Sequence, residues 1–269
     1  MKRWLKIMVC LLACGQGLAE AEALPDPPPD HWYSKIVDIE FVRPYAVLPR
    51  RDDAVLIDAR DAGTRFAAGH IPGAINLPAK RFDELAPRLL PSDKNKLIIF
   101  YCDGVECKLS HMAADDTEDL GYTNIRVYAA GFPEWFRQGN VVVVGVRHLK
   151  AMLAGGEIGM VFDVRDKATA YDHGHLPSAI SLPAGQFALR AAAVLPADKT
   201  TPLLFYCDRP DASLSHAVAR QVRSIPGVRR ITKGAATSVT SVGSSQPQPA
   251  GAMPTSSTAA RCRWMPRVT

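Results

Sequence analysis

The chain has 269 residues, 47% hydrophobic and 22% charged, with 32 Lys and Arg against 27 Asp and Glu for a formal net charge of +5. This is the composition of an ordinary globular protein with room for one or two domains. Three of the arginines (Arg261, Arg263, Arg267) crowd the C-terminus and no basic face interleaved with aromatics is visible, which argues against nucleic-acid binding.

Residues 1–23 read as a targeting segment. Lys2, Arg3 and Lys6 form a positive start, Ile7 to Leu12 with Ala13 and Cys14 a short apolar centre, and Ala19 to Ala23 offers small residues for cleavage. Export to a bacterial periplasm is expected, with a lipoprotein anchored at Cys14 as the alternative. The apolar run is too short to span a bilayer. Residues 24–33, with four prolines, read as a stiff extended leader.

A first domain is expected over 34–138. Ile36 to Glu40 reads as an edge strand, and Val55-Leu56-Ile57-Asp58 as a strand apolar enough to be covered on both faces. A short strand lies between Pro72 and Pro78, Phe82 to Leu90 reads as a helix, and Leu97 to Tyr101 as the core strand. The core strand stops at Cys102, and a helix is expected from about Ser110 to Leu120. Ile125 to Tyr128 is a last strand, and Gly131-Phe132-Pro133-Glu134-Trp135 closes the unit with Trp135 as a core anchor. Strands alternating with helices predict a parallel α/β layer.

The pattern then returns. Laying Val55–Ala114 on Met160–Ala219 without a gap gives 26 identities in 60 positions, where unrelated chains of ordinary composition give roughly 4. The chain is an internal duplication, and the second domain is expected over 141–235. Its parallel with the first fails after Gly234, where a Ser/Thr/Pro/Ala/Gly tail over 236–269 reads as disordered. A frame change in the gene that replaced the natural end of the second domain is one explanation.

Cys102, and Cys207 in the repeat, sit where a strand hands over to a helix. Ligands bind at that end of parallel sheets, and loop amides with a helix N-terminus favour thiolate there. Outside the export signal the chain keeps Cys102, Cys107, Cys207 and Cys262, which lack the paired spacing of a zinc site. Cys107 reads as a small loop hydrophobe in preference to a redox partner of Cys102. His70, His111, His175 and His216 recur at equivalent places and read as turn or capping residues. Asp58 with Arg60, and Asp163 with Arg165, are expected to pair and fix the loops, and Ser110 and Ser215 to cap the helices.

These residues resemble the rhodanese family in a tandem, exported form. The motifs are Leu-Ile-Asp-Ala-Arg at 56–60, Gly-His-Ile-Pro-Gly-Ala-Ile at 69–75, Phe-Tyr-Cys at 100–102 and Gly-Phe-Pro-Glu-Trp at 131–135, and the likeness covers roughly 35–232. The resemblance implies two tandem doubly wound α/β domains, each with a five-stranded parallel sheet. It also implies a sulfurtransferase in which Cys102 and Cys207 carry a sulfane sulfur as persulfide from a small donor to a thiophilic acceptor, or to a protein thiol, with neither metal nor organic cofactor.

The implied cradles are Asp103, Gly104, Val105, Glu106, Cys107 and Lys108 in the first domain, and Asp208, Arg209, Asp211, Ala212 and Ser213 in the second. Lys108 is the candidate to stabilise the sulfur anion. Each loop carries two acids against one base, which disfavours thiolate, and Pro210 removes an amide from the second. Cys102 therefore ranks above Cys207. The alternative is a non-catalytic binding module. Phosphatases and arsenate reductases with related loops are set aside, because the Arg they need six residues after the cysteine is here Lys108 or Ser213.

Overall fold

A computed structural model describes residues 32–209, 213–228 and 231–235. The expected signal, most of the leader, the C-terminal tail, Pro210, Asp211 and Ala212 lie outside the described residues. The chain divides after Trp32, and both sheets belong to the unit that begins at Tyr33.

The first sheet is built from β1 (Ala54–Asp58), β2 (Ile75–Asn76), β3 (Leu97–Tyr101) and β4 (Ile125–Tyr128). Their order is β2-β1-β3-β4 and every pair is parallel, with Asp58 beside Tyr101 and Phe100 beside Val127. Alternation along the strands splits their side chains between two cores. Ile57, Ile98, Phe100 and Val127 pack with Phe82 and Ala86 of α2 (Phe82–Leu89) and with Ala113 and Ala114 of α3 (Leu109–Asp119). Leu56, Ile99, Tyr101 and Tyr128 face the other way, toward α1 (Ile39–Val42) and Trp135 of α4 (Gly131–Arg137). Each large side chain buried this way is worth about 1.5–3 kcal/mol.

The expected fifth strand at Ile36–Glu40 is reduced to a single parallel bridge between Ile36 and Val127. Asp38 is the cause. Its carboxylate accepts from the Phe41 amide at 2.9 Å, which caps α1 and turns the chain into a helix at Ile39 before the ladder can continue. The first sheet therefore has four strands instead of five.

The second sheet has the expected five: β5 (Val142–Val143), β6 (Met160–Asp163), β7 (Ile180–Ser181), β8 (Leu203–Cys207) and β9 (Ile231–Ala235). Their order, β5-β9-β8-β6-β7, repeats the first sheet, and Asp163 lies beside Tyr206 as Asp58 does beside Tyr101. One face carries α6 (Phe187–Val194) and α7 (Ser213–Arg223). The other, with α5 (Val146–Ala154), joins the α1 and α4 face of the first sheet in one continuous core that contains Leu56, Ile99 and Trp135 together with Leu149, Val161 and Leu204.

The two halves are also tied through the backbone. His70 and Val143 exchange hydrogen bonds of 2.9 and 3.0 Å, the Gly145 amide donates to Ala67 at 2.8 Å, and the Trp135 indole donates to Val141 at 2.9 Å. The strand that opens the second sheet is thereby fastened to the loop below the first. No helix among the described residues is long and apolar enough to cross a membrane.

Candidate active site

Cys102 is the first residue beyond β3 and is fully buried, at 0% exposure. The loop that follows turns back on itself: Gly104 adopts φ +112°, a conformation that suits glycine, and its carbonyl accepts from the Cys107 amide at 2.9 Å. The Cys102 sulfur lies 3.1 Å from the Cys107 carbonyl oxygen, to which its S–H donates, and 3.1 Å from Ser110 Oγ. Cys107 is half-buried. Its own sulfur receives the amides of Asp103 and Leu109.

The two thiols act on each other's titration, Cys107 being lowered and Cys102 raised. Interaction with the Cys102 side chain, aided by the amides of Asp103 and Leu109 and opposed by burial, pulls Cys107 down to about 6. The same interaction and burial push Cys102 up. The preference for thiolate expected at Cys102 thus falls five residues on.

Support comes from beneath. Arg60 is buried against Asp58, with its Nη2 at 2.6 Å from Oδ2 and its Nε at 2.9 Å from Oδ1. The same guanidinium donates to the Gly69 carbonyl at 2.7 Å and to Asp103 at 3.2 Å, and it lies 4.3 Å from the centre of the Phe132 ring. Strand end, Gly69 turn and cysteine loop are therefore pinned by one side chain, as the sequence predicted for this pair. Asp103 also meets Arg65 at 3.5 Å, so the acid counted against thiolate in this loop is compensated by two arginines from another segment. From the far side α4 leans in. The Phe132 amide donates to the Cys102 carbonyl at 3.0 Å, and Gly131 at φ +60° lies so close that a Cβ there would stand 2.3 Å from that oxygen.

Val105, Glu106 and Lys108 are exposed on the loop, and Lys108 precedes α3 with no side-chain cap; the partners found at the Cys102 sulfur are Cys107 and Ser110. Ser110 was expected to cap α3. It lies instead one residue inside the helix, fully buried, and turns its hydroxyl to the sulfur. The histidines serve packing: His70 stacks on Phe66 at 3.7 Å and bonds its carbonyl, His175 stacks on Tyr171 at 3.9 Å, and His111 is buried, which lowers its pKa.

The second copy keeps the frame. Arg165 meets Asp163 at 2.6 Å, the Gly174 carbonyl at 2.7 Å and Asp208 at 3.0 Å, and Cys207, 2% exposed, lies 3.0 Å from Ser215 Oγ and 3.5 Å from the Arg209 carbonyl. Asp208 and Arg209 are exposed, and Ser213 opens α7. Where Cys107 stands in the first copy the second has Ala212. Sequence reasoning missed Ser110 and Ser215 as sulfur partners, although the spacing of eight residues from cysteine to serine is the same in both copies. Among the described residues no group of three or more His, Cys, Asp or Glu is placed to hold a metal ion.

Comparison with known proteins bears on both copies. The family profile described as "Rhodanese-like domain" matches residues 45–138 and again 146–237. The chain is similar, at 35% identity over 91 residues, to the HTH-type transcriptional regulator Rv0324 of Mycobacterium tuberculosis, a stretch that covers 33% of this chain and 38% of that protein. It is similar, at 31% identity over 94 residues, to the thiosulfate sulfurtransferase/rhodanese-like domain-containing protein 3 of Mus musculus, covering 31% of this chain and 58% of that one. The matched stretches thus span less than two thirds of either relative. Among solved structures, the thiosulfate sulfurtransferase of Pseudomonas aeruginosa aligns at 22% identity over 75% of this chain and 41% of its own, with a TM-score of 0.35. The 3-mercaptopyruvate sulfotransferase SseA of Escherichia coli aligns at 16% identity over 76% and 98%, with a TM-score of 0.36.

Proposed function

Because the chain belongs to the rhodanese-like family and carries that domain twice, we propose that it is a periplasmic sulfurtransferase that moves a sulfane sulfur through a cysteine persulfide. The observation that carries this reading is the strand-end cysteine held under a loop by a serine hydroxyl and, in the first copy, by the Cys107 carbonyl. In the first half-reaction Cys102 passes its proton to the Cys107 thiolate as its sulfur attacks the outer sulfur of the donor. With thiosulfate, the S–S bond breaks and sulfite departs with the bonding pair, leaving the persulfide anion on Cys102. The amides of Asp103, Leu109 and Ser110, which converge on the two sulfurs, are suited to hold that anion in the manner of an oxyanion hole. In the second half-reaction a thiophilic acceptor such as cyanide or a thiol takes the outer sulfur. The periplasmic location rests on the reading of residues 1–23 as an export signal.

One observation favours a second reading, a non-catalytic binding module: Cys102 is 0% and Cys207 2% exposed, so uptake of sulfur requires the loop to open. Cyanolysis separates the two. The wild type forms thiocyanate and the Cys102→Ala, Cys207→Ala double variant forms none; equal rates in the two leave only the binding module.

A further inference from the structure

The second copy has Ala212 where the first has Cys107, and the Cys107 carbonyl stands 3.1 Å from the sulfur at the centre of the site. We propose that Cys107 is a second catalytic cysteine that discharges the Cys102 persulfide by attacking its inner sulfur, releasing hydrosulfide and leaving a Cys102–Cys107 disulfide. This rests on the sulfur-carrier reading above and names the acceptor within it.

Three observations support the step. First, the turn closed between Cys107 and Gly104 brings Cys107 back onto the site, its carbonyl 3.1 Å from the Cys102 sulfur, the atom that becomes the inner sulfur of the persulfide. Second, Cys102 is fully buried whereas Cys107 is half-buried, so a thiol from solution meets Cys107 before it meets Cys102. Third, the choice of sulfur follows from the leaving groups. Attack on the outer sulfur would expel the Cys102 thiolate into a fully buried position, whereas attack on the inner sulfur expels hydrosulfide.

The step balances without an added oxidant. The Cys107 S–H proton passes to the outer sulfur, the Cys107 sulfur bonds to the Cys102 sulfur, and the S–S bond of the persulfide breaks with its pair on the departing hydrosulfide. The sulfane sulfur is reduced by two electrons and the two cysteines are oxidised to the disulfide. A dithiol or two thiols from outside then restore the loop. In this reading the first domain accepts a sulfane sulfur and releases hydrosulfide at the expense of an external thiol, while the second, with Ala212 in place of the resolving thiol, holds its persulfide for an external acceptor.

The test uses the full chain with Cys207→Ser, reduced, freed of thiols, kept anaerobic and given sodium thiosulfate or inorganic polysulfide. Peptide mass mapping is expected to show Cys102 and Cys107 joined, about 2 Da lighter than the dithiol, with about one hydrosulfide released per chain from thiosulfate. Adding Cys107→Ser is expected to stop the reaction at an adduct of about 32 Da on Cys102 and to cut hydrosulfide release at least about tenfold. That adduct shows by itself that the variant loop is intact. A stable adduct on Cys102 with Cys107 present and no disulfide overturns the inference and leaves the sulfur-carrier reading standing. An adduct on Cys107 in a Cys102→Ser chain overturns the order of the two thiols. If neither donor modifies either cysteine, the sulfur-carrier reading fails, and this inference fails with it.

Discussion

Replacing Arg60 by Ala tests the support beneath the cysteine loop. Arg60 is 2% and Asp58 0% exposed, and the guanidinium makes bonds to Asp58, to the Gly69 carbonyl and to Asp103. Removing one partner of a buried ion pair leaves the other charge stranded and costs about 3–5 kcal/mol. Asp58 retains the Arg60 backbone amide at 2.9 Å, which places the loss near the lower end, about 3 kcal/mol. The guanidinium also lies 4.3 Å from the Phe132 ring centre, a contact worth about 1 kcal/mol. The total is about 4 kcal/mol, and at about 2–4 °C per kcal/mol for a domain of this size the midpoint falls by about 8–16 °C.

Arg165→Ala is the internal control. Arg165 has the same bonds to Asp163 but is 11% exposed, and its outer partner Asp208 is 61% exposed. Its loss is expected to be about 1–2 kcal/mol smaller. Urea unfolding followed by circular dichroism measures both. A loss below about 1 kcal/mol for Arg60→Ala, or equal losses for the two variants, refutes the claim that this buried pair fastens the first loop.

The chemistry of the thiol pair is readable by alkylation. The rate at which iodoacetamide labels Cys107 is expected to rise with a midpoint near 6, and Cys102→Ala, which removes the principal interaction, shifts that midpoint upward toward the ordinary thiol value of 9.0; an unmoved midpoint assigns the effect elsewhere. The same depression couples to stability. Between pH 6 and 9 the unfolded Cys107 binds a proton that the folded one has lost, so its contribution is complete above 9 and disappears as the pH falls through about 6. The stability difference between wild type and Cys107→Ser therefore shrinks on acidification across that window, and a flat difference contradicts it. Gly131→Ala would place a Cβ 2.3 Å from the Cys102 carbonyl and 3.0 Å from the Gly104 amide at φ +60°, and costs more than about 3 kcal/mol with loss of cyanolysis; Gly185→Ala, with nothing within 4 Å, stays within about 1 kcal/mol in the same thermal melt.

The features written locally were legible in the sequence. Apolar runs ending at Cys102 and Cys207 gave the core strands, the repeat of 26 identities in 60 gave the two copies, and Asp58-x-Arg60 announced a pair because both residues stand at the end of a strand whose mates are apolar. The features that failed depend on what approaches from elsewhere in the chain. Asp103 counted as an uncompensated acid because Arg60 and Arg65 reach it from some 40 residues upstream. Ser110 resembled a cap because it stands where a helix begins, but α3 starts one residue earlier and carries it inside against the sulfur. The fifth strand of the first sheet was lost to one carboxylate, since Asp38 caps a helix that starts at Ile39, inside the run read as a strand. Cys107 read as a small apolar residue because nothing in one dimension shows that the loop folds it back to within 3.1 Å, through its carbonyl, of the Cys102 sulfur.

The duplication turns these particulars into a controlled comparison. The supporting pair is nearly superposable, with a shortest Arg to Asp distance of 2.6 Å in each copy, a bond of 2.7 Å to the equivalent carbonyl, and a serine hydroxyl at 3.1 or 3.0 Å from the sulfur. The two sites differ in the α4 contacts of Gly131 and Phe132 on the first loop and in the five residues after each cysteine, where Gly104, Val105, Glu106 and Cys107 correspond in sequence to Arg209, Pro210, Asp211 and Ala212. Pro210 has no amide to donate to a sulfur anion, and Ala212 has neither a thiol to take a proton nor one to displace a sulfide. Replacing Ala212 by Cys supplies the missing thiol on an unchanged frame. If the loop residues alone set the chemistry, Ala212→Cys lets the second domain, studied with Cys102→Ser, release hydrosulfide from thiosulfate without added thiol. If it releases none while still taking sulfur on Cys207, the amide removed by Pro210 is also required, and Pro210→Val with Ala212→Cys is the variant that restores it.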